Sequence, residues 1–267
     1  MKPCISLYGL MVLMTTTIVS CAEKPHGPKT MLVVAAHPDD ETAFAPVLAK
    51  YARLGHTVYL VIGVDGRYGN RSEPNNPDSV AMVNKRQAAC SCQQLGINQP
   101  IFFDLVSLDR KHGQRDGVRA AVESGVAFRD KLKETILSIQ PDLIITYGPD
   151  GEYGHPEHMI VSGLVTELLL REKWVDTYPL YYFGWTKTLE QGNDGWIRYA
   201  DDQYFTTVIT YTDEDEQRGF ASLHCYERMP RQEREEIVAI ETKRTNELYF
   251  RKFKVSREKK KDFFSVE

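Results

Sequence analysis

Residues 31–42 read MLVVAAHPDDET, and the fold turns on how this stretch divides. The apolar run Met31 to Ala36 has the character of a buried strand. His37-Pro38-Asp39-Asp40-Glu41 has the proline and the acids of a helix start. One imidazole and two carboxylates are therefore expected at the carboxyl end of a strand, where open α/β sheets place their ligands. Acids at a helix start are also favoured by the helix dipole alone. Taken by itself, the stretch fits both a metal-assisted hydrolytic site and a well-charged helix terminus.

Working outward, strand-like runs alternate with helical spacing. Residues 42–54 place Phe44, Val47, Leu48 and Tyr51 on one helical face, and residues 57–64 (TVYLVIGV) form a second apolar, β-branched run. A polar loop follows, GRYGNRSEPNNPDS at 66–79. Helices are expected at 79–95, 118–139 and 155–172, and strands at 101–103 and 142–147 (DLIITY), with a turn-rich loop at 148–154. Such alternation predicts an α/β fold with a mostly parallel, doubly wound sheet and right-handed crossovers. Beyond Tyr178 the pattern is mixed. Strands are expected at 178–185 and 204–211, and helices at 213–226 and 231–248, placed beside the same sheet. The basic stretch Arg251 to Lys261 reads as a solvated end.

A second motif repeats the first. His155-Pro156-Glu157-His158 follows DLIITY as His37-Pro38-Asp39-Asp40 follows MLVVAA. In both, a His precedes a Pro suited to a first helical turn, and a potential ligand lies three residues after the His, on the same face. Adjacent strands would bring the two arrays together. Two imidazoles and a carboxylate with an open position is the usual catalytic zinc set, although the same donors accept iron, cobalt or nickel. A carboxylate left off the metal can act as general base.

The rest of the chain narrows the class. Its 267 residues, 42% hydrophobic and 26% charged, are ordinary for a globular protein, and a net charge of −4 shows no electrostatic footprint for nucleic acid. Lys2 and the apolar segment from about Ile5 to Val19 fit a signal peptide rather than a spanning helix. The segment ends in Ile18-Val19-Ser20-Cys21, which resembles a bacterial lipobox. Residues 1–21 are thus expected to be a lipoprotein signal, Cys21 a lipidation site, 22–30 a tether and 31–267 the folded domain. Localisation in the bacterial cell envelope, anchored to the membrane through Cys21, follows. Cys90, Cys92 and Cys225 remain. Cys90 and Cys92, two apart on a helix, are a poor disulfide pair. All three are expected as small buried hydrophobes.

AHPDDE, a Gly-Arg loop after the second strand, and the later Gly154-His155-Pro156-Glu157-His158 together resemble the PIG-L/LmbE family of zinc-dependent de-N-acetylases, over roughly residues 30–170. The resemblance implies a Rossmann-like three-layer fold. It also implies Zn2+ held by His37, Asp40 and His158, Asp39 as general base, and His155 steadying the oxyanion, ideally as an imidazolium. The expected reaction removes the N-acetyl group from an N-acetylglucosamine-containing substrate and releases acetate. Arg67 and Arg71 are candidates for holding substrate, Asp65 could orient a ligand, and Glu41 is expected to support the helix start. The chain departs from the family pattern at Asn84-Lys85-Arg86-Gln87, where many members carry Arg-x-x-Glu, and around His224, where a Ser-Gln is missing. These departures touch the substrate surroundings. The alternatives are a zinc amidase on another N-acyl group and a glycan-binding surface lipoprotein without turnover.

Overall fold

A computed structural model of the chain describes residues 27–68, 76–105, 107–108, 117–190, 197–241, 245–259, 261–262 and 264. The signal segment, Cys21, Arg71 and His112 lie outside the described residues. Strand β1 (Thr30–Ala35) leads through a 3₁₀ turn (Asp40–Phe44) into α1 (Ala45–Arg53) and β2 (Thr57–Val64). Then come α2 (Pro77–Leu95), β3 (Ile101–Leu105), α3 (Gly117–Ile139), β4 (Leu143–Tyr147) and α4 (Pro156–Arg171). The remainder comprises β5 (Leu180–Thr186), α5 (Lys187–Glu190), β6 (Tyr199–Ala200), β7 (Thr207–Thr210), α6 (Asp213–His224), α7 (Arg231–Glu241) and β8 (Glu247–Lys252).

The main sheet runs β3-β2-β1-β4-β5-β8-β7, with β6 beside β5. Strands β1 to β5 are mutually parallel, while β8 pairs antiparallel with both β5 and β7. Strand β1 is buried on both faces, so it reads as a continuous apolar run rather than an alternating one. Met31, Val33 and Ala35 join a core with Val47 and Leu48 of α1 and Ala88 and Leu95 of α2. Leu32 and Val34 join the opposite core with Phe128 and Leu132 of α3 and Val161 and Val165 of α4. Gly63 in β2 lets the Phe128 ring lie against the strand, where a Cβ would come within 2.6 Å of it. Burying a residue such as Phe128 contributes about 1.5–3 kcal/mol. The result is the expected α/β, Rossmann-like three-layer fold.

This topology positions the site. Strand order reverses at β1, with β2 on one side and β4 on the other, so a crevice opens above the carboxyl ends of β1 and β4. The two His-Pro motifs follow those two strands.

Three expectations are corrected. The helix expected at 231–248 ends at Glu241, and Glu247–Lys252 is a strand in the sheet. Its Leu248 and Phe250 are buried at period two, and Asn246 has φ 55 at the turn before it. Arg251 and Lys252, read as a solvated end, belong to that strand. Cys90 and Cys225 form a disulfide that ties α2 to the end of α6, leaving Cys92 as a buried free thiol.

Candidate functional site

Four polar atoms at the mouth of the crevice define the site. Asp40 Oδ2 accepts from the backbone N–H groups of Ala36 and His37, both at 2.8 Å, which turns Oδ1 outward. Asp40 Oδ1 lies 3.0 Å from His158 Nε2 and 3.5 Å from His37 Nδ1, and the two nitrogens are 3.3 Å apart. A tetrahedral metal with ligand bonds of about 2.05 Å has ligand-to-ligand edges of about 3.3 Å. The triangle therefore fits a divalent metal of zinc's size without rearrangement. The wider set of His37, His155 and His158, whose donor atoms lie within 4.8 Å of one another, fits less closely.

The two imidazoles are held differently: His37 is aimed by a carboxylate behind it, whereas His158 Nδ1 makes no hydrogen bond among the described residues. His37 Nε2 lies 2.7 Å from Glu157 Oε2, and Glu157 Oε1 in turn accepts from Ser107 Oγ at 2.8 Å and from the Leu108 N–H at 2.6 Å. With its proton on Nε2, His37 keeps a lone pair on Nδ1 for the triangle. His158 Nδ1 faces Glu152 Oε2 at 3.5 Å, and the His158 ring stacks on Tyr147 with centroids 4.4 Å apart. Tyr147 also donates to the Asp40 carbonyl at 2.5 Å. Carboxylate support of the kind Glu157 gives His37 fixes tautomer and ring orientation at metal sites.

Charge is strongly redistributed here. Burial opposes ionisation of Asp40, but His158 and His37 outweigh it and hold the carboxyl well below its usual range. Burial likewise opposes a charge on His37, yet Asp40 and Glu157 raise it to about 10. Glu157 is held down to about 2 against burial by His37, the Leu108 N–H and Ser107. The acids that favour a positive charge on His37 would equally favour a bound cation in place of the second ring proton.

Asp39 differs. Its backbone has φ 105, its side chain makes no capping hydrogen bond, and burial followed by the Asp40 charge raises its carboxyl well above the usual range. A non-glycine residue at such φ is uncommon and costs free energy. The half-buried carboxylate lines the cavity beside the triangle, where a raised pKa suits proton transfer.

His155 caps α4, and its Nδ1 accepts from the Glu157 N–H at 3.2 Å. Burial, then His37 and His158, lower it to about 4. The ring is therefore neutral near pH 7 with its proton on Nε2, a hydrogen-bond donor rather than the expected imidazolium. Gly151 makes this turn possible. It has φ 68, its carbonyl accepts from the His155 N–H at 3.1 Å, and a Cβ there would lie 2.9 Å from the His155 carbonyl.

A cavity of about 490 Å³ opens over these residues, lined by His37, Asp39, Asp40 and His155 on one side and by Asn84, Gln87, Tyr226 and Arg228 on the other. Arg67 is directed elsewhere. Its guanidinium bonds Asp65 at 2.6–3.1 Å and Asp78 at 2.8 Å, and it does not line the cavity. Asp65 is correspondingly a buried partner for Arg67 rather than a ligand. Glu41 does more than support a helix start. It is fully buried, and its Oε1 accepts from Ser91 Oγ and Tyr226 OH, both at 2.5 Å, which ties the turn carrying Asp39 to the far wall. The supporting role of Glu157, the nearness of Glu152 to His158 and the cavity position of Arg228 were not read from the sequence. Glu157 alone carried a signal, as the carboxylate following His155-Pro156.

The model of the PIG-L family, described as GlcNAc-PI de-N-acetylase, matches residues 32–169. A 1D-myo-inositol 2-acetamido-2-deoxy-alpha-D-glucopyranoside deacetylase from Corynebacterium kroppenstedtii is 34% identical over 158 residues, covering 51% of this chain and 41% of that protein. The chain spans less than half the length of the first curated relatives it matches. Among solved structures, N,N'-diacetylchitobiose deacetylase from Pyrococcus horikoshii superposes with TM-score 0.63 at 16% identity, covering 85% of this chain and 84% of that one. The 4-carboxy-2-hydroxymuconate hydratase GalB from Pseudomonas putida KT2440 superposes with TM-score 0.59 at 15% identity, covering 86% and 99%. One fold thus serves both a hydratase and deacetylases, and the chemistry has to be argued from the site.

Proposed function

The chain belongs to the PIG-L family of GlcNAc-PI de-N-acetylases, and on that premise we propose that it hydrolyses the N-acetyl amide of a glucosamine-containing substrate, releasing acetate and a free amine. The observation that carries this reading is the 3.0–3.5 Å triangle of His37 Nδ1, Asp40 Oδ1 and His158 Nε2 with Asp39 free beside it. A binding protein has no use for an unengaged base next to a metal position.

His37, Asp40 and His158 would hold the metal, zinc being the best match to two nitrogens and one carboxylate. A metal there would supply Lewis acidity, polarising the amide carbonyl and lowering the pKa of the attacking water to about 7. Asp39 takes the proton of that water as its oxygen bonds to the carbonyl carbon. Asp39 then delivers the proton to the nitrogen as the C–N bond breaks. The neutral His155 ring donates its Nε2–H to the oxyanion, a contribution typically worth about 10²–10³ in rate. Asn84, Gln87 and Arg228 offer hydrogen bonds to the sugar in the cavity.

The test is acetate release from a panel of N-acetylated amino sugars, comparing metal-stripped and zinc-restored protein. Release that needs zinc is the expected result. Sugar binding without acetate would instead make the protein a glycan-binding module.

From the lipobox-like Ile18-Val19-Ser20-Cys21 we also propose that the protein is exported to the bacterial cell envelope and lipid-anchored through Cys21. The Cys90–Cys225 disulfide supports it, because such bonds persist in oxidising compartments. Replacing Cys21 with Ala and following the protein out of the membrane fraction tests the anchor.

A further inference from the structure

A second cavity of about 160 Å³ meets the larger one at Asp39 and Asp40 and reaches behind them to His158. The two differ in chemistry. Asn84, Gln87 and Arg228 give the larger one polar walls. The smaller one also carries Thr42, Glu152 and Glu233, but Ala43, Trp185, Ile197, Ile237 and Ile240 make it mainly apolar, and Met229 lines both. Helix α7 closes it. Ile237 and Ile240 follow Glu233 at helical spacing and so share the face turned to the cavity. Ile240 and Met229 also pack on the main core, so this wall is anchored rather than a loose flap.

A secondary amide is planar and trans, so its two substituents leave the carbonyl on opposite sides. With the carbonyl over the metal triangle and the sugar in the polar cavity, the acyl carbon points into the apolar one. An acetyl methyl would nearly leave it empty. About 10–15 Å³ of such space holds one water, so there is room for on the order of ten.

We propose that this cavity is an acyl-chain subsite, so that the protein accepts N-acyl groups longer than acetyl as well as acetyl itself and favours the longer ones, with a linear chain of about six carbons as the probe. The inference rests on the amide-hydrolase reading above and names its substrate class. The balance is that of any amide hydrolysis. The water oxygen bonds to the acyl carbon, the C–N bond breaks, and the water proton passes through Asp39 to the nitrogen. A fatty carboxylate and an amino sugar result.

Calorimetry of hexanoate and acetate binding to the zinc-loaded protein reads the cavity without turnover. Each buried methylene is worth roughly fourfold in affinity. Hexanoate, with four more methylenes, is therefore expected to bind on the order of 10²-fold more tightly than acetate when all are buried, and equal affinities overturn the inference. Ile240→Trp and Ala43→Leu fill the cavity from opposite walls, and either one that keeps the wild-type melting transition should lose the preference for hexanoate. A preference retained by a folded, filled variant overturns the assignment of the cavity. Amine release from N-hexanoylglucosamine against N-acetylglucosamine separates the two levels of the argument. Cleavage of the acetyl sugar with no advantage for hexanoyl removes the acyl subsite and leaves the deacetylase. No amine from either sugar removes the hydrolase reading, and this inference with it.

Discussion

Glu157 Oε2 lies 2.7 Å from His37 Nε2, across the crevice between the two motifs. One motif thus supplies a proposed metal ligand and the other supplies the group that aims it. Glu157 is itself held by Ser107 Oγ and the Leu108 N–H. Replacing it with Gln keeps the shape and removes the charge. Zinc affinity is expected to fall about 10–100-fold, read by competition with a chelator. An unchanged dissociation constant would detach Glu157 from the metal.

Asp39 and Asp40 are neighbours with opposite assignments. Asp40 Oδ2 is committed to two backbone N–H groups, and Asp40 is held ionised. Asp39 has a raised pKa and faces the cavity. Asp39→Asn should leave zinc binding and the melting temperature near wild type while kcat drops about 10²–10⁴-fold. Turnover within twofold of wild type would remove Asp39 as base.

The convergence of His37, Asp40 and His158 was legible because its parts are local. His37 to Asp40 and His155 to His158 are both three-residue steps on a first turn, and each follows a strand whose apolar run stands out. What was not legible depends on distant chain. Cys90 and Cys225 lie 135 residues apart, and their pairing exists only because α6 packs against α2. Strand β8 was divided between the end of an expected helix and the basic tail, because its period-two pattern is six residues long and follows an amphipathic helix with no Gly or Pro between them. Arg67 was a reasonable substrate ligand on charge alone. Asp65 two residues earlier and Asp78 at the start of α2 were the clues that its charge is already spent.

The disulfide closes a long loop, so removing it should matter even though it lies outside the chemistry. Cys90→Ser is expected to cost about 2–4 kcal/mol of stability, measured by chemical denaturation. Cys92 should stay unreactive towards iodoacetamide in the native protein, because burial, with the Glu41 charge adding to it, pushes its thiol well up. A rapidly modified Cys92, or a Cys90→Ser protein as stable as wild type, would contradict this account.

Asp215 fastens α6 to α1. Arg53 binds both of its oxygens at 2.8 Å, and Asp215 Oδ2 accepts from the Thr212 N–H and Oγ1 at the helix start. Burial would raise the carboxyl, but Arg53 and Thr212 prevail and hold it down to about 2, against a usual 3.8. A carboxylate depressed in the folded state stabilises fully above its unfolded pKa, and that stability is lost as pH falls through the folded one. The loss from Asp215 therefore falls in the window from about pH 4 down to about pH 2. Asp215→Asn removes the titrating group. The stability gap between wild type and variant should be largest above pH 4 and shrink towards pH 2. Denaturation curves at several pH values, with chelator present so that metal release does not contribute, measure that gap directly. A gap that stays constant across the window would show that Asp215 acts through shape and hydrogen bonding alone.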